Sequence, residues 1–384
     1  MGTDRTVAVF GAYGHTGRFV VAELRARGLR PVLVGRDPDK LKALAYGMEP
    51  YGTGPSGTTA YGTEERATGT YTTPPDVRTA SAHDPASIDR ALTGAAAVIN
   101  CAGPFATTAA PVIEAALRAG VPYADVAAEI EANLDTFAHY AERARESGAS
   151  IVPATAFFGG LGDLLATAAM GDWATADEAH IAYGLSSWHP TAGTRTAGAA
   201  SRERRGHGRR IRYTGGRLEH RDDASPTLGW RFPEPLGPRT VIGEFTMADV
   251  VTVPSHLTVP EVRTYMTAEA ARDLAAPDTP APAAVDERGR SDQTFLVDVV
   301  VRSGGAERRA VARGQPINAV TAPLVVEAVE RVLTGRTRAV GVASAGKMFD
   351  APDFLRALSP HITVELFSQQ VRGRTAARRG ALPT

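Results

Sequence analysis

The first third of the chain alternates short, wholly apolar blocks with longer stretches that are apolar every third or fourth residue. TVAVF (Thr6–Phe10), RPVLV (Arg30–Val34), AAAVINCAG (Ala95–Gly103), PYADVA (122–127) and ASIVPAT (Ala149–Thr155) are blocks of the first kind. Such runs fit strands buried on both faces of a parallel sheet. A weaker strand is placed near Val77–Ala82. GRFVVAELRARG, PDKLKALA, Pro85–Leu92, Thr108–Gly120 and Ile130–Ser147 carry the 3–4 spacing of amphipathic helices, several with Pro at the start or Gly at the stop. Strand and helix in strict alternation predict a Rossmann-type, doubly wound α/β sheet.

Beyond Ala156 the period shortens. HIAYGLSS, RRIRYTGGRLEHR, RTVIGEFTMADVVTVP, EVRTYMT, TFLVDVVVR and ERRAVARG read as antiparallel strands and hairpins, with Gly-Gly turns at 215–216 and 304–305. Ala275–Arg290, rich in Pro and Asp, reads as a loop. Thr321–Gly335 and APDFLRALSP return to helical spacing and are placed near the first domain. The expected organisation is a dinucleotide-binding domain over 1–155, a second α+β domain with an antiparallel sheet over 156–319, and C-terminal helices over 320–384. Tyr46–Asp76, Gly-, Thr-, Tyr- and Pro-rich with YGT twice, has neither period and reads as an insertion or a lid.

The join between the first strand and helix carries the strongest motif, GAYGHTG, with Gly11, Gly14 and Gly17 at GxxGxxG spacing. Such a turn brings backbone close to a pyrophosphate, packs the helix on the strand, and aims free helix N–H groups at the anion. Tyr13, His15 and Thr16 lie in this loop as dinucleotide-lining candidates. The second strand ends VGRDP. Arg36 at its tip suits the 2′-phosphate of NADP, with Lys40 as a possible helper, and Asp37 is expected to turn away or cap the next helix. Cys101, Ala102, Gly103 and Pro104, at the end of the fourth strand, form the turn expected beneath the nicotinamide. Cys101 reads as a small buried residue or, with no histidine near it in sequence, less readily as a nucleophile.

Composition adds limits. The 384 residues are long enough for two domains, and 42 basic against 42 acidic residues leave no net charge to suggest nucleic acid or a membrane surface. Only three residues are lysine (Lys40, Lys42 and Lys347), and no tyrosine has a lysine four positions later, which removes the short-chain dehydrogenase pair. One cysteine excludes an intrachain disulfide, and no run reaches the roughly 20 apolar residues of a membrane span. The first strand begins by Thr6, and a cytoplasmic location is expected. No metal-ligand set is assigned.

GAYGHTGRFVVAELRARGLRPVLVGRDPDKL and NCAGPF…AAPVIEAALRAGVPYADVAAE together resemble the saccharopine dehydrogenase-like oxidoreductases, the group of saccharopine reductases and trans-acting enoyl reductases. The likeness covers about the first 165 residues and returns in INAVTAPLVVEAVERVLTG and GVASAGKMFDAPDFLRAL. It implies NADP as cofactor, a second domain with an antiparallel sheet, and a homodimer. The chain departs from the group where GFDSVPSDLG-like residues are usual: AFFGGLGDLLAT keeps Asp163 and lacks the serine and proline. The expected activity is NADP(H)-dependent hydride transfer to or from a C=N or C=O centre of a small metabolite. The alternatives are enoyl reduction on a carrier-bound substrate and a non-catalytic NADP-binding protein.

Acid–base candidates fall in two places. Tyr123, Asp125 and Glu129 sit at the end of the fifth strand, on the ligand edge; Asp125 reads equally as a helix cap. His189, in SSWHPTAGTRTAG (Ser186–Gly198), is a generic acid in a loop that also holds Trp188, Thr194 and Arg195, the last a carboxylate clamp in this reading; the same loop reads as well as structural. Six arginines between Arg202 and Arg212 suit a phosphate-bearing carrier or a solvated face. His256 is a further, weaker candidate.

Overall fold

The structure, a computed structural model, describes residues 5–47, 74–206, 209–287 and 289–370. The body of the Tyr46–Asp76 insertion and the last fourteen residues lie outside that description.

The first sheet holds β1 (Thr6–Phe10), β2 (Arg30–Gly35), β3 (Asp76–Thr79), β4 (Ala97–Asn100), β5 (Tyr123–Asp125) and β6 (Ser150–Val152), all parallel, in the order β3-β2-β1-β4-β5-β6. The connections are α1 (His15–Ala26), α2 (Pro38–Tyr46), α3 (Pro85–Leu92), α4 (Phe105–Ala119) and α5 (Ile130–Ser147). Successive residues of β1 serve opposite faces. Val7 and Val9 join the core under α1, whereas Ala8 and Phe10 join the core under α3, α4 and α5.

The chain leaves this sheet through a turn at Phe157–Leu161, in which Gly159 takes φ +94°, and enters α6 (Gly162–Met170). The second sheet comprises β7 (Glu178–Leu185), β8 (Arg210–Thr214), β9 (Arg217–Arg221), β10 (Thr227–Arg231), β11 (Pro238–Gly243), β12 (Val262–Thr267), β13 (Phe295–Ser303) and β14 (Ala306–Gly314). After it come β15 (Gly341–Val342), which adds to the first sheet beside β6, and β16 (Ile362–Gln370), which closes the second beside β14. The helices of this part are α7 (Ala192–Arg205), α8 (Asp249–Thr252), α9 (Ala268–Ala275), α10 (Ile317–Leu333), α11 (Ala345–Met348) and α12 (Ala351–Ala357).

Rossmann-type sheet plus second domain is the architecture expected, with one difference: the second sheet is mixed. β7 and β12 pair in parallel while the remaining pairs are antiparallel. Three further expectations change. Ala192–Arg205, inside the stretch read as loop and charge run, is helix; the DVVT part of a predicted strand is the short α8; and the C-terminal segment expected as helices also supplies β15 to the first sheet and β16 to the second. α10 lies along α1, where Arg27 pairs with Glu327 and Glu330, and Glu327 pairs with the buried Arg331. No helix among the described residues is long and apolar enough to cross a membrane.

Candidate active site

β4 and β2 flank β1, and the chain leaves β1 and β4 in opposite directions along the sheet. Their carboxyl ends therefore frame a crevice, the usual ligand position in an open α/β sheet. On one side of it, Gly11 takes φ +86° and donates to the Val34 carbonyl at 2.8 Å; any Cβ there would meet Ala102 at 2.9 Å. A Cβ on Gly17 would stand 2.3 Å from the Gly11 carbonyl oxygen, so glycine is what lets α1 lie on β1. Gly14 is the N-cap of α1 and supplies no capping side chain. The N–H groups of His15, Thr16 and Gly17 have no hydrogen-bond partner among the described residues, which leaves three donors at the positive end of the helix.

The Tyr13 ring lies against Gly35, and the Lys40 ammonium stands 5.8 Å from its centre. Asp37 caps α2, accepting from the N–H groups of Asp39 and Lys40 at 3.1 Å each. The Lys40 N–H is the main cause that holds its carboxyl below the usual range. Of the predicted cofactor residues, Asp37 is thus turned onto its own helix, as expected of it, and the exposed Arg36 makes no hydrogen bond among the described residues. His15 meets Phe19 edge-on at 5.4 Å, and burial lowers its pKa, Arg18 adding to the effect.

Across the crevice, the turn after β4 is held by side chains. Asn100 accepts from the Ala102 N–H at 3.0 Å, and Thr108 donates to the Ala102 carbonyl at 2.5 Å. Burial, then the neighbouring Asp125, pushes the Cys101 thiol well up, far from a thiolate nucleophile. Gly103 is exposed at the crest of the turn and lies close to Ala197 of α7.

The structure brings Tyr123, Asp125 and Glu129 together at this place and gives each a partner. Tyr123 donates to Asp125 at 2.8 Å and receives the Asn100 amide at 3.3 Å. Asp125 also accepts from the Ala127 N–H at 3.0 Å and the Ala154 N–H at 2.8 Å; Ala154 has the unusual φ of +53°. Glu129 accepts from the N–H groups of Phe105 and Ala106, at 2.6 and 3.0 Å. All three are at least 96 % buried, and burial is the leading cause that raises all three pKa values. These contacts are a cap and a brace; they leave none of the three facing open space as a proton donor.

His189 is elsewhere, half-buried in the segment that leads into α7, with no hydrogen bond among the described residues. Its neighbours are committed. Trp188 is buried and stacks on Phe158 at 4.8 Å, Thr194 bonds to Thr191, and Arg195 donates to the carbonyls of Ala276 and Thr279. The carboxylate-clamp reading of Arg195 is therefore corrected: its guanidinium fastens the 276–279 loop. Four of the six arginines in the run are engaged as well. Arg204 pairs with Asp135, Arg205 with Glu131, Arg210 with Asp223 and Glu244, and Arg212 with Glu219 and Glu244. Arg205 and Ser201 both reach Glu131, so α7 of the second domain docks on α5 of the first and forms a wall of the crevice beside Gly103.

His256 approaches Asp163 at 2.7 Å, and the other oxygen of Asp163 accepts from the Gly346 N–H at 2.6 Å. Both side chains are buried, and the pair ties α6, the turn after α8 and α11 together. Sequence reasoning missed Asp249, which lies buried against the Tyr183 hydroxyl at 2.9 Å and whose pKa burial raises to about 7. An aspartate among valines gave no spacing or motif to single it out.

Residues 7–152 match the family model described as the saccharopine dehydrogenase NADP binding domain. A probable mitochondrial saccharopine dehydrogenase-like oxidoreductase of Arabidopsis thaliana is 31% identical over 160 residues, 39% of this chain; the matched stretch spans 31% of that relative's length. Apo saccharopine dehydrogenase (L-Glu forming) from Saccharomyces cerevisiae superimposes with a TM-score of 0.60 at 12% identity, over 94% of this chain and 100% of that one. At that identity the likeness is one of fold.

Proposed function

We propose, from the premise that residues 7–152 form an NADP-binding domain of the saccharopine dehydrogenase type, that the chain is an NADP(H)-dependent oxidoreductase. It moves a hydride to or from a C=N or C=O carbon of a small metabolite. The supporting observation is the crevice itself: three N–H groups without a partner among the described residues on one side, a braced turn on the other, and a helix of the second domain closing it. NADP, when bound, supplies the hydride chemistry. Gly11, Gly14 and Gly17 with the start of α1 take the pyrophosphate, Arg36 takes the 2′-phosphate, and Tyr13 borders the adenosine half. Cys101–Pro104 borders the nicotinamide half.

In this reading His189, on the segment that leads into α7, is the proton donor, because it alone of the acid–base candidates is partly exposed and makes no hydrogen bond among the described residues. Tyr123, Asp125 and Glu129 hold the turn. Four of the six arginines that favoured a phosphate-bearing carrier, Arg204, Arg205, Arg210 and Arg212, are paired with acids, which weakens the enoyl-reductase alternative. The working unit is taken as a cytoplasmic homodimer, as the single cysteine and the resemblance imply.

Cofactor binding and turnover test the reading together. NADP should bind more tightly than NAD at equal salt. Arg36→Ala should weaken NADP about tenfold, the scale of a hydrogen bond to a charged group, and leave NAD nearly untouched. NADPH oxidation should appear with oxo acids, alone or with amines. Turnover only with unsaturated thioesters would move the assignment to enoyl reduction. Tighter binding of NAD would overturn the cofactor choice, and NADP binding without any turnover would leave a binding protein.

A further inference from the structure

α4 starts directly after the Gly103–Pro104 turn, and its N-cap, Pro104, has no side-chain oxygen for the first N–H groups. The missing cap comes from another helix. Glu129, the N-cap residue of α5, reaches across to accept from Phe105 and Ala106. It is 4 % exposed, and the two N–H donors and the positive helix end offset the burial of its charge. The turn is therefore anchored twice, at Ala102 by Asn100 and Thr108 and at Phe105–Ala106 by Glu129, with Gly103 exposed between the anchors. Ala102 in turn touches Gly11. Because β2 with Arg36 lies on one side of β1 and β4 on the other, a dinucleotide with its adenosine half at β2 brings its nicotinamide half to this turn.

We infer that Glu129 is a positioning residue for the nicotinamide half of the dinucleotide: its carboxylate, as the cap of α4, fixes the turn against which that half rests. The inference rests on the NADP reading above and concerns one half of the ligand only. 2′,5′-ADP reports the adenosine half, and NADPH reports both halves. In Glu129→Ala, 2′,5′-ADP should bind within twofold of the unaltered protein, while NADPH weakens about fivefold or more, the scale of one or two lost hydrogen bonds. Glu129→Gln keeps one acceptor but presents an NH2 group to the second N–H, so it should show the same split at smaller size; it carries the test if the alanine variant fails to fold.

Parallel weakening of both ligands would mean general loosening and would overturn the inference, as would unchanged binding of both. Unaltered protein that binds neither ligand would overturn the cofactor reading instead.

Discussion

The carboxyl group of Asp249 sits wholly inside the protein with one hydroxyl, that of Tyr183, against it. Burial raises its pKa from 3.8 to about 7, with the Asp163 charge adding to the shift. Between those two values the folded chain holds a proton that the unfolded chain has lost. The contribution to stability therefore falls as pH rises from about 4 to about 7 and stays low above. Asp249→Asn carries no charge at any of these values. Its melting temperature relative to the unaltered protein should climb across that window and then level, by an amount equivalent to a few kcal/mol. A difference that stays constant from pH 4 to pH 8 would show that Asp249 does not titrate there. The sequence offers no warning of this residue, since only the fold brings β7 and α8 into contact. Gly11 and Gly17 were legible because local chain geometry alone defines their place in the turn.

At the scale of elements, the glycine loop makes a separable prediction. A Cβ at Gly17 runs into two backbone oxygens, of Gly11 at 2.3 Å and Ala12 at 2.8 Å, neither able to move without pulling α1 from β1. At Gly14 the nearest atom is 3.1 Å away. Gly17→Ala should lose about 1–3 kcal/mol of stability along with NADP binding. Gly14→Ala should lose less stability than Gly17→Ala yet bind NADP more weakly, because its methyl crowds the Gly11 carbonyl oxygen only at 3.1 Å while it obstructs the approaching pyrophosphate. Equal melting temperatures for both variants would reject this account. Elements that carry their own end signals were readable in advance. Asp84 caps α3 and a left-handed Gly148 stops α5, and both helices fall where the pattern put them. The predicted strand Ala95–Gly103 stops early, at Asn100, because side chains of Asn100 and Thr108 take up the backbone of Ala102. α7 was missed for the opposite reason. AGTRTAGAASRERR has no apolar period, and its docking depends on partners in α5.

Two of the joints within the molecule differ in kind. α10 lies on α1 through a buried ion network, with Arg331 only 2 % exposed, and behaves as part of the first domain's core. α7 instead meets α5 through polar contacts: Ser201 and Arg205 on Glu131, and the more exposed Arg204 on Asp135. It buries only Ser201 fully, so little apolar surface holds it in place. That makes α7 the wall of the crevice with the least to lose on opening, and Glu131 the contact that closes it. Glu131→Gln removes the charge that Arg205 pairs with and leaves a weaker acceptor for Ser201. The amides of 192–205 should then exchange hydrogen faster, by a factor matching about 1–2 kcal/mol, with those of α1 and α10 unchanged. Added salt should speed exchange in α7 of the unaltered protein far less, because the Arg205–Glu131 pair is mostly shielded from solvent. Exchange that rises equally in α1, α7 and α10 would mean that Glu131 supports the fold as a whole, and that α7 does not open on its own.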